Sequence, residues 1–423
     1  MPPSQPKPSL EWLIDPTEKQ TFFEQYWEKR PLVVRRNQSD YFSGLLSLDD
    51  VDRAITTLNL TYPNITLKNA DREVSSADYT VAGALDVVAV YQLFKQGSTV
   101  VLAFLDTLIP ALTSLCRGLE SQLCFPLQTN AYLTPPGAQG AKPHYDTHDV
   151  FVLQVTGSKR WTIYGTPLEL PLRGQDFDPA VVGQGPRSMD FELRAGDVAY
   201  IPRGVVHDAR SSNDLSLHIT LGVLCYTWAD FLLELVSEAS LNDSAFRKSL
   251  PPGFGREEFD RTNARETLHD LFGRLSAKSN LDGVLDRFTD QWIAGCPPLL
   301  RGQMGQISLV DNITSDSWVG ARRDTVYLIR REGTSASIYA CGRKISFPTH
   351  AEEAARFALR EARFLVRELP GDLDEEGKVT LVRRLVQEGL MVVLEGPRPG
   401  GVGFDSLSFM ETKETSSAAQ PFK

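Results

Sequence analysis

The stretch Thr129–Tyr164 reads TNAYLTPPGAQGAKPHYDTHDVFVLQVTGSKRWTIY, with His144-Tyr145-Asp146 at its centre. In an extended strand, side chains at i and i+2 leave the same face. The His144 imidazole and the Asp146 carboxylate are therefore expected to converge on one point. Two donors do not hold a metal tightly, so a third is sought downstream. GDVAYIPRGVVHDA sets a turn at Gly196-Asp197, a strand over VAYIP, a second turn at Arg203-Gly204 and a second strand carrying His207. His148, two residues past Asp146, shares that face if the strand is unbent. A fourth donor would close a position that the chemistry needs open, so His148 is read as a hydrogen-bond donor near the site or a substrate contact. His218 is read as a satisfied barrel residue.

Two His and one carboxylate on one side of an ion form the facial triad of non-haem Fe(II) oxygenases. Gly196, five residues, Pro202-x-Gly204, two residues and His207 resemble the second cupin motif. The whole stretch is similar to the JmjC-type branch of the Fe(II)/2-oxoglutarate oxygenases, and within it to the ribosomal-oxygenase group of protein hydroxylases. The segment Tyr-Trp-Glu-Lys-Arg-Pro-Leu at 26–32 looks like the lead-in of the same family. The resemblance implies a double-stranded β-helix with iron near its mouth, held by His144, Asp146 and His207 as the catalytic centre. It implies Lys159, fifteen positions after His144, as the grip on the far carboxylate of 2-oxoglutarate. Asn130 and Tyr132 match the family's Asn-x-Tyr, and Thr220 in LHITLG falls on the late strand that closes such a pocket. Fe(II), 2-oxoglutarate as cosubstrate and O2 are the implied cofactors. Read from the residues alone, Lys159 is equally a solvated turn residue after Gly157-Ser158.

Working outward, residues 1–9 are Pro-rich and expected to be disordered. The expected fold is a mainly β catalytic domain over 10–224, cupin/JmjC-like, with flanking helices and a barrel core at about 130–222. Phe22, Phe23, Tyr26 and Trp27 recur at helical spacing and read as core. A second helix is expected near Asp49, and Val81–Gly97 and Thr99–Leu119 read as further helices outside the barrel. The Gly- and Pro-rich segment between Tyr164 and Gly196 reads as a long loop near the site. Residues 225–298 read as a helical module, for which the resemblance implies dimerisation. Residues 299–410 read as winged-helix-like: strands TVYLIRRE and ISFP, a helix at Ala351–Glu368, another over Asp372–Gly389 with Gly389 as its C-cap, and a strand in MVVLEG. Residues 411–423 are expected to be an unstructured tail.

The chain has 423 residues, 42% hydrophobic and 23% charged, with a formal net charge of −10. That balance argues against nucleic acid as the main partner and suits basic ones. The expected winged helix opens its second helix with Asp372, Asp374, Glu375 and Glu376, which repels phosphate. Five scattered cysteines without CxxC spacing fit reduced thiols in a cytoplasmic setting. No signal peptide and no membrane span are expected from the opening residues or from the apolar run at Thr99–Leu115, which Asp106 and Pro110 interrupt.

Three functional readings stay open at this level. The first is a hydroxylase of a protein side chain, the family's substrates being His or Arg residues of ribosomal proteins. The second is an oxygenase acting on a peptide or natural product, or demethylating N-methyl-lysine. Thr147-His148-Asp149 departs from the acidic or Gln-Tyr run of ribosomal enzymes and keeps this second reading alive. The third is a non-catalytic cupin with a structural metal.

Overall fold

The computed structural model describes residues 8–183, 185–278, 281–296 and 299–396, and divides into two compact units. The expected disorder of the first residues and the expected tail lie outside the described residues, except Pro8 and Ser9, and Ser9 caps the first helix. The first unit runs to residue 297 and takes in 326–328 and 339–343. Its leading part holds α1 (Leu10–Ile14), α2 (Lys19–Gln25), β1 (Leu32–Val34), α3 (Leu48–Thr57), β2 (Ile65–Lys68), a small β3 (Thr80–Val81) and β4 (Ala84–Leu85) hairpin, α4 (Val87–Lys95), β5 (Thr99–Leu102) and α5 (Pro110–Leu123). Ser47 and Asp50 close a capping box on α3.

The barrel follows as β6 (Leu127–Thr134), β7 (Asp149–Thr156), β8 (Ser158–Ile163), β9 (Met189–Arg194), β10 (Val198–Ile201), β11 (His207–Ser211) and β12 (Ser216–Val223). A seven-stranded sheet in the order β1-β10-β7-β12-β6-β5-β2 faces a three-stranded sheet β11-β8-β9. All pairings in both sheets are antiparallel. This is the double-stranded, cupin-like architecture expected.

Strand β7 shows why the two layers hold. Its residues are buried on both faces, the mark of a covered central strand. Val150 and Val152 point into the space between the sheets with Trp161, Ile163, Phe191 and Leu193. Phe151 and Leu153 point the other way, into a second core with Leu13, Phe22, Leu112 and Leu115 of the leading helices. The Phe22 ring lies 5.8 Å from Phe151 and 5.0 Å from Tyr200, so the aromatic stripe of α2 is core. Burying such a ring stabilises by roughly 1.5–3 kcal/mol.

One expectation fails here. Residues 99–102 are not helical but form β5, fully buried and paired with β2 and β6. The β-branched run Thr99-Val100-Val101 suits a pleated surface, and an open sheet edge beside it supplied the partner. The helix expected over Val81–Gly97 is likewise shorter, confined to α4.

After β12 come α6 (Trp228–Asn242), α7 (Thr262–Lys278) and α8 (Leu281–Gly295), as the apolar spacing indicated. The second unit opens on α9 (Gln303–Leu309) and β13 (Trp318–Ala321). Strands β14 (Tyr327–Glu332), β15 (Ser335–Ala340) and β16 (Arg343–Pro348) form a sheet in that order. Helix α10 (Glu352–Arg360), β17 (Phe364–Leu365), α11 (Glu375–Gln387) and β18 (Met391–Val393) complete the described chain. The helix expected to reach Glu368 stops at Arg360, because Phe364 and Leu365 pair with Val319 and Trp318 of β13 instead. Strands β17-β13-β18 form a sheet, and Ala354, Ala358, Val382 and Leu385 of α10 and α11 are buried.

Candidate metal centre and ligand pocket

Of the strand pair inferred at the centre, only part exists. His144 forms an isolated antiparallel bridge with His207, and residues 145–148 lie outside any strand. The convergence of His144 and Asp146 is therefore not the plain pleat assumed from spacing. The bridge exchanges both backbone bonds, His144 N–H to His207 O at 3.1 Å and His207 N–H to His144 O at 2.8 Å. The Gly204 N–H then donates to Asp146 O at 3.0 Å. Gly204 sits at φ +84°, and a Cβ there would run into the Leu168 carbonyl, so only glycine fits this turn.

The side chains do meet. One donor atom from each of His144, Asp146 and His207 lies within 4.8 Å of the others, with His207 Nε2 at 3.7 Å from Asp146 Oδ2. His144 Nδ1 is 2.8 Å from Lys142 O, and His207 Nδ1 is 3.0 Å from Val205 O. A carbonyl only accepts, so Nδ1 carries the proton in both rings and both Nε2 lone pairs are free for a metal. Burial, together with the neighbouring His144, holds His207 below its ordinary range. Burial opposes ionisation of Asp146, yet His207, His144, His148 and Lys68 outweigh it and keep the carboxyl below its usual range. Two imidazoles and one carboxylate, all from one side, suit a divalent transition metal with open positions.

Behind these groups lies an open cavity. Lys159 reaches it from β8, only 3% exposed, and its Nζ donates to Thr134 Oγ1 at 3.0 Å. Among the described residues no carboxylate pairs with it, and burial alone pushes its pKa down to about 7. Tyr132 stacks on His218 with ring centroids 4.8 Å apart. Burial, with the Asp146 charge, pushes the Tyr132 hydroxyl up, so it stays protonated. Thr220 lines the cavity beside them. Asn130 is not on the cavity wall; its Oδ1 accepts from Phe104 N–H at 3.2 Å.

Two further groups line the cavity, and the reading of His218 as a satisfied barrel residue is corrected here. Among the described residues His218, 2% exposed, has no partner at Nδ1, and Trp161 has none at Nε1, although both line the cavity. A buried polar atom without a partner is costly, so these are donors or acceptors aimed at a ligand's place. Strand alternation held the signal: His218 and Thr220 share a face, as do Lys159 and Trp161. His148 is no fourth donor. It stands outside the donor cluster, with its ring over Gly222, where a Cβ would lie 2.7 Å from its Cδ2. The loop after β8 is tied to the centre by Tyr145, whose hydroxyl donates to Gln175 O at 2.9 Å and whose ring meets Phe177 edge-on at 5.2 Å.

Comparison with known proteins places this geometry. A family model described as JmjC domain matches residues 107–231, a stretch that includes Tyr132, His144, Asp146, Lys159, His207 and Thr220. The chain carries a JmjC domain. Around it, the chain is 33% identical over 256 residues to a bifunctional lysine-specific demethylase and histidyl-hydroxylase NO66 of Drosophila mojavensis, covering 58% of this chain and 28% of that protein. It is 30% identical over 324 residues to ribosomal oxygenase 1 of Danio rerio, covering 70% of this chain and 57% of that protein. The chain thus spans less than two thirds of the length of either relative. The JmjC domain and its flanks also superpose on the Escherichia coli ribosomal oxygenase YcfD, with a TM-score of 0.52 over 89% of this chain and 98% of that one. At 17% identity that likeness is one of fold.

Proposed function

We propose that this chain is an Fe(II)- and 2-oxoglutarate-dependent oxygenase that hydroxylates a protein side chain, a ribosomal protein being the favoured substrate. One observation carries the reading: three donors from one side stand at a cavity whose depth holds a buried lysine with no carboxylate partner among the described residues. His144, Asp146 and His207 hold the metal. Lys159 takes the far carboxylate of 2-oxoglutarate, where a buried charge needs an opposite one. Tyr132 and Thr220 supply hydroxyls to the same ligand, and His218 Nδ1 and Trp161 Nε1 complete the polar lining. The chemistry supplied with iron is oxidative decarboxylation of 2-oxoglutarate by O2, coupled to oxygen insertion into a substrate C–H bond. The chain's own task is to orient that bond and exclude others.

The relatives' names support the substrate class, since they include a histidyl-hydroxylase and ribosomal oxygenases. One YcfD structure is described as a complex with cobalt and 2-oxoglutarate. The name of the first relative also includes lysine demethylation, which shares the same centre and keeps N-methyl-lysine as the second reading. For the rest of the chain, the proposed reading of α6–α8 is a surface that pairs two copies. It is supported by Trp228 and Leu233, each 72% exposed, with Leu232, Leu268 and Phe272 also exposed. The unit built on β13, α10, α11 and β18 is read as a winged-helix-like protein-contact domain in which acidic residues open α11. No described helix is long and apolar enough to cross a membrane, and the proposed setting is cytoplasmic.

The test is succinate release that requires both Fe(II) and 2-oxoglutarate, together with intact-mass analysis of ribosomal proteins from cells lacking the gene. Loss of one oxygen mass from a ribosomal protein supports the hydroxylase. Metal binding without succinate release returns the protein to a non-catalytic cupin.

A further inference from the structure

Residues 145–148 carry a metal ligand without the support of a strand, so something else must fix Asp146 against His207. Asp149 begins β7 three residues later and is fully buried. It accepts from the Tyr200 hydroxyl at 2.8 Å, the Arg203 N–H at 3.3 Å and the Arg203 guanidinium at 2.6 Å, with the Cys225 thiol at 3.5 Å. Arg203 is itself 7% exposed, and the same guanidinium nitrogen lies 2.6 Å from Glu28. A buried ion pair is a weak source of stability, because desolvation consumes most of its attraction, and apolar replacements often do as well. Its use is therefore sought in what it orients.

Arg203 and Gly204 are consecutive, and each holds one end of the irregular segment. Gly204 N–H takes the Asp146 carbonyl, and Arg203 takes the Asp149 carboxylate. Three residues further on, the same turn delivers His207. We propose that Asp149 and Arg203 are a positioning pair that sets Asp146 relative to His207 and thereby the affinity and geometry of the bound metal. The inference rests on the metal-binding reading above and adds the residues that orient the donors. Glu28, Asp149 and Cys225 also bring donor atoms within 4.8 Å of one another. The Arg203 guanidinium already bridges both carboxylates, so that cluster is filled by a cation of the chain and takes no second metal.

The experiment is Co(II) titration of the full chain, read by the visible d–d bands and by equilibrium affinity, with thermal unfolding recorded alongside. Asp149→Asn keeps an acceptor for Tyr200 and for the Arg203 N–H but loses the charge. It weakens Co(II) binding about 10–100-fold and changes the band pattern, as loss of a group that orients metal ligands does. Arg203→Lys acts in the same direction, since an ammonium lacks the fork. Tyr200→Phe, the mildest change at Asp149, weakens binding by a few-fold. Glu28→Gln alters only the half-exposed outer partner and leaves affinity and bands as in the unaltered chain. The stoichiometry is one Co(II) per chain throughout. A purely structural role predicts lower unfolding temperatures with unchanged affinity and bands in every variant that folds, and that result overturns the proposal. So does a second Co(II) per chain lost on Cys225→Ser. If the unaltered chain binds no Co(II) at all, the metal-binding reading itself fails, a separate outcome from the failure of this pair.

Discussion

Lys159→Met separates the cost of the buried lysine from its use. The ammonium of an ordinary lysine titrates at about 10.4, and burial here pushes it down to about 7. Between those values the unfolded chain binds more protons than the folded one, so stability rises with pH across that window. The penalty is complete below about pH 7 and is gone above the ordinary lysine range. Three to four pH units at 1.36 kcal/mol each put it at about 4 kcal/mol near neutrality. Methionine has similar reach and no charge, but it loses the bond from Nζ to Thr134, worth about 1 kcal/mol. The ligand-free variant is therefore expected to be more stable by about 3 kcal/mol at pH 7, with the advantage shrinking towards pH 10. Urea unfolding of both proteins at several pH values measures this. The same change removes one side of a buried charge pair with 2-oxoglutarate and weakens its binding at least about a hundredfold. In the unaltered chain, 2-oxoglutarate binding takes up a proton above pH 7, so affinity falls as pH rises, and calorimetry in buffers of different ionisation heat detects the uptake. A variant less stable than its parent, or a stability difference independent of pH, would falsify this account of the cavity.

The remaining expectations are local. His144→Ala removes one of three donors, so saturating Co(II), which stabilises the unaltered chain by about 2.7 kcal/mol at 100 times its Kd, gives the variant little protection in thermal melts. Equal protection would count against His144 as a ligand. Gly222→Ala drives a methyl group into the His148 ring, 2.7 Å away, and costs about 1–3 kcal/mol. Adding His148→Ala restores most of that loss, and strict additivity of the two changes would show that the contact is not the cause. Tyr145→Phe keeps the ring contact with Phe177 but drops the bond to Gln175 O, loosening the loop after β8 by about 1 kcal/mol. Faster proteolytic cleavage in that loop at unchanged metal affinity is the expected result, and an unchanged cleavage rate contradicts the tether.

Much of the site was legible in the chain because strands impose a simple period. Gly196, Pro202 and Gly204 mark turns that local backbone preference alone demands, and they locate His207 sixty-three residues from His144. The errors arose where a partner far along the chain outbid local preference. Residues 99–102 joined an open sheet edge rather than the helix that follows, and 364–365 left the helix for β13. His218 looked like a satisfied barrel residue because spacing cannot show whether a buried nitrogen finds a partner.

What the sequence by itself determined is the list of chemical groups and their order: His144, Asp146, Lys159, His207 and the turns between them. What only the tertiary structure decided is which of those groups share a space and in what state. The bridge between residues 144 and 207 brings two imidazoles together, the carbonyls of Lys142 and Val205 place a proton on each Nδ1, and the closing of two sheets removes water from Lys159. Hydration and charge spacing depend on contacts between residues distant in sequence, so a lysine's charge at pH 7 is a property of the cavity around it rather than of the lysine.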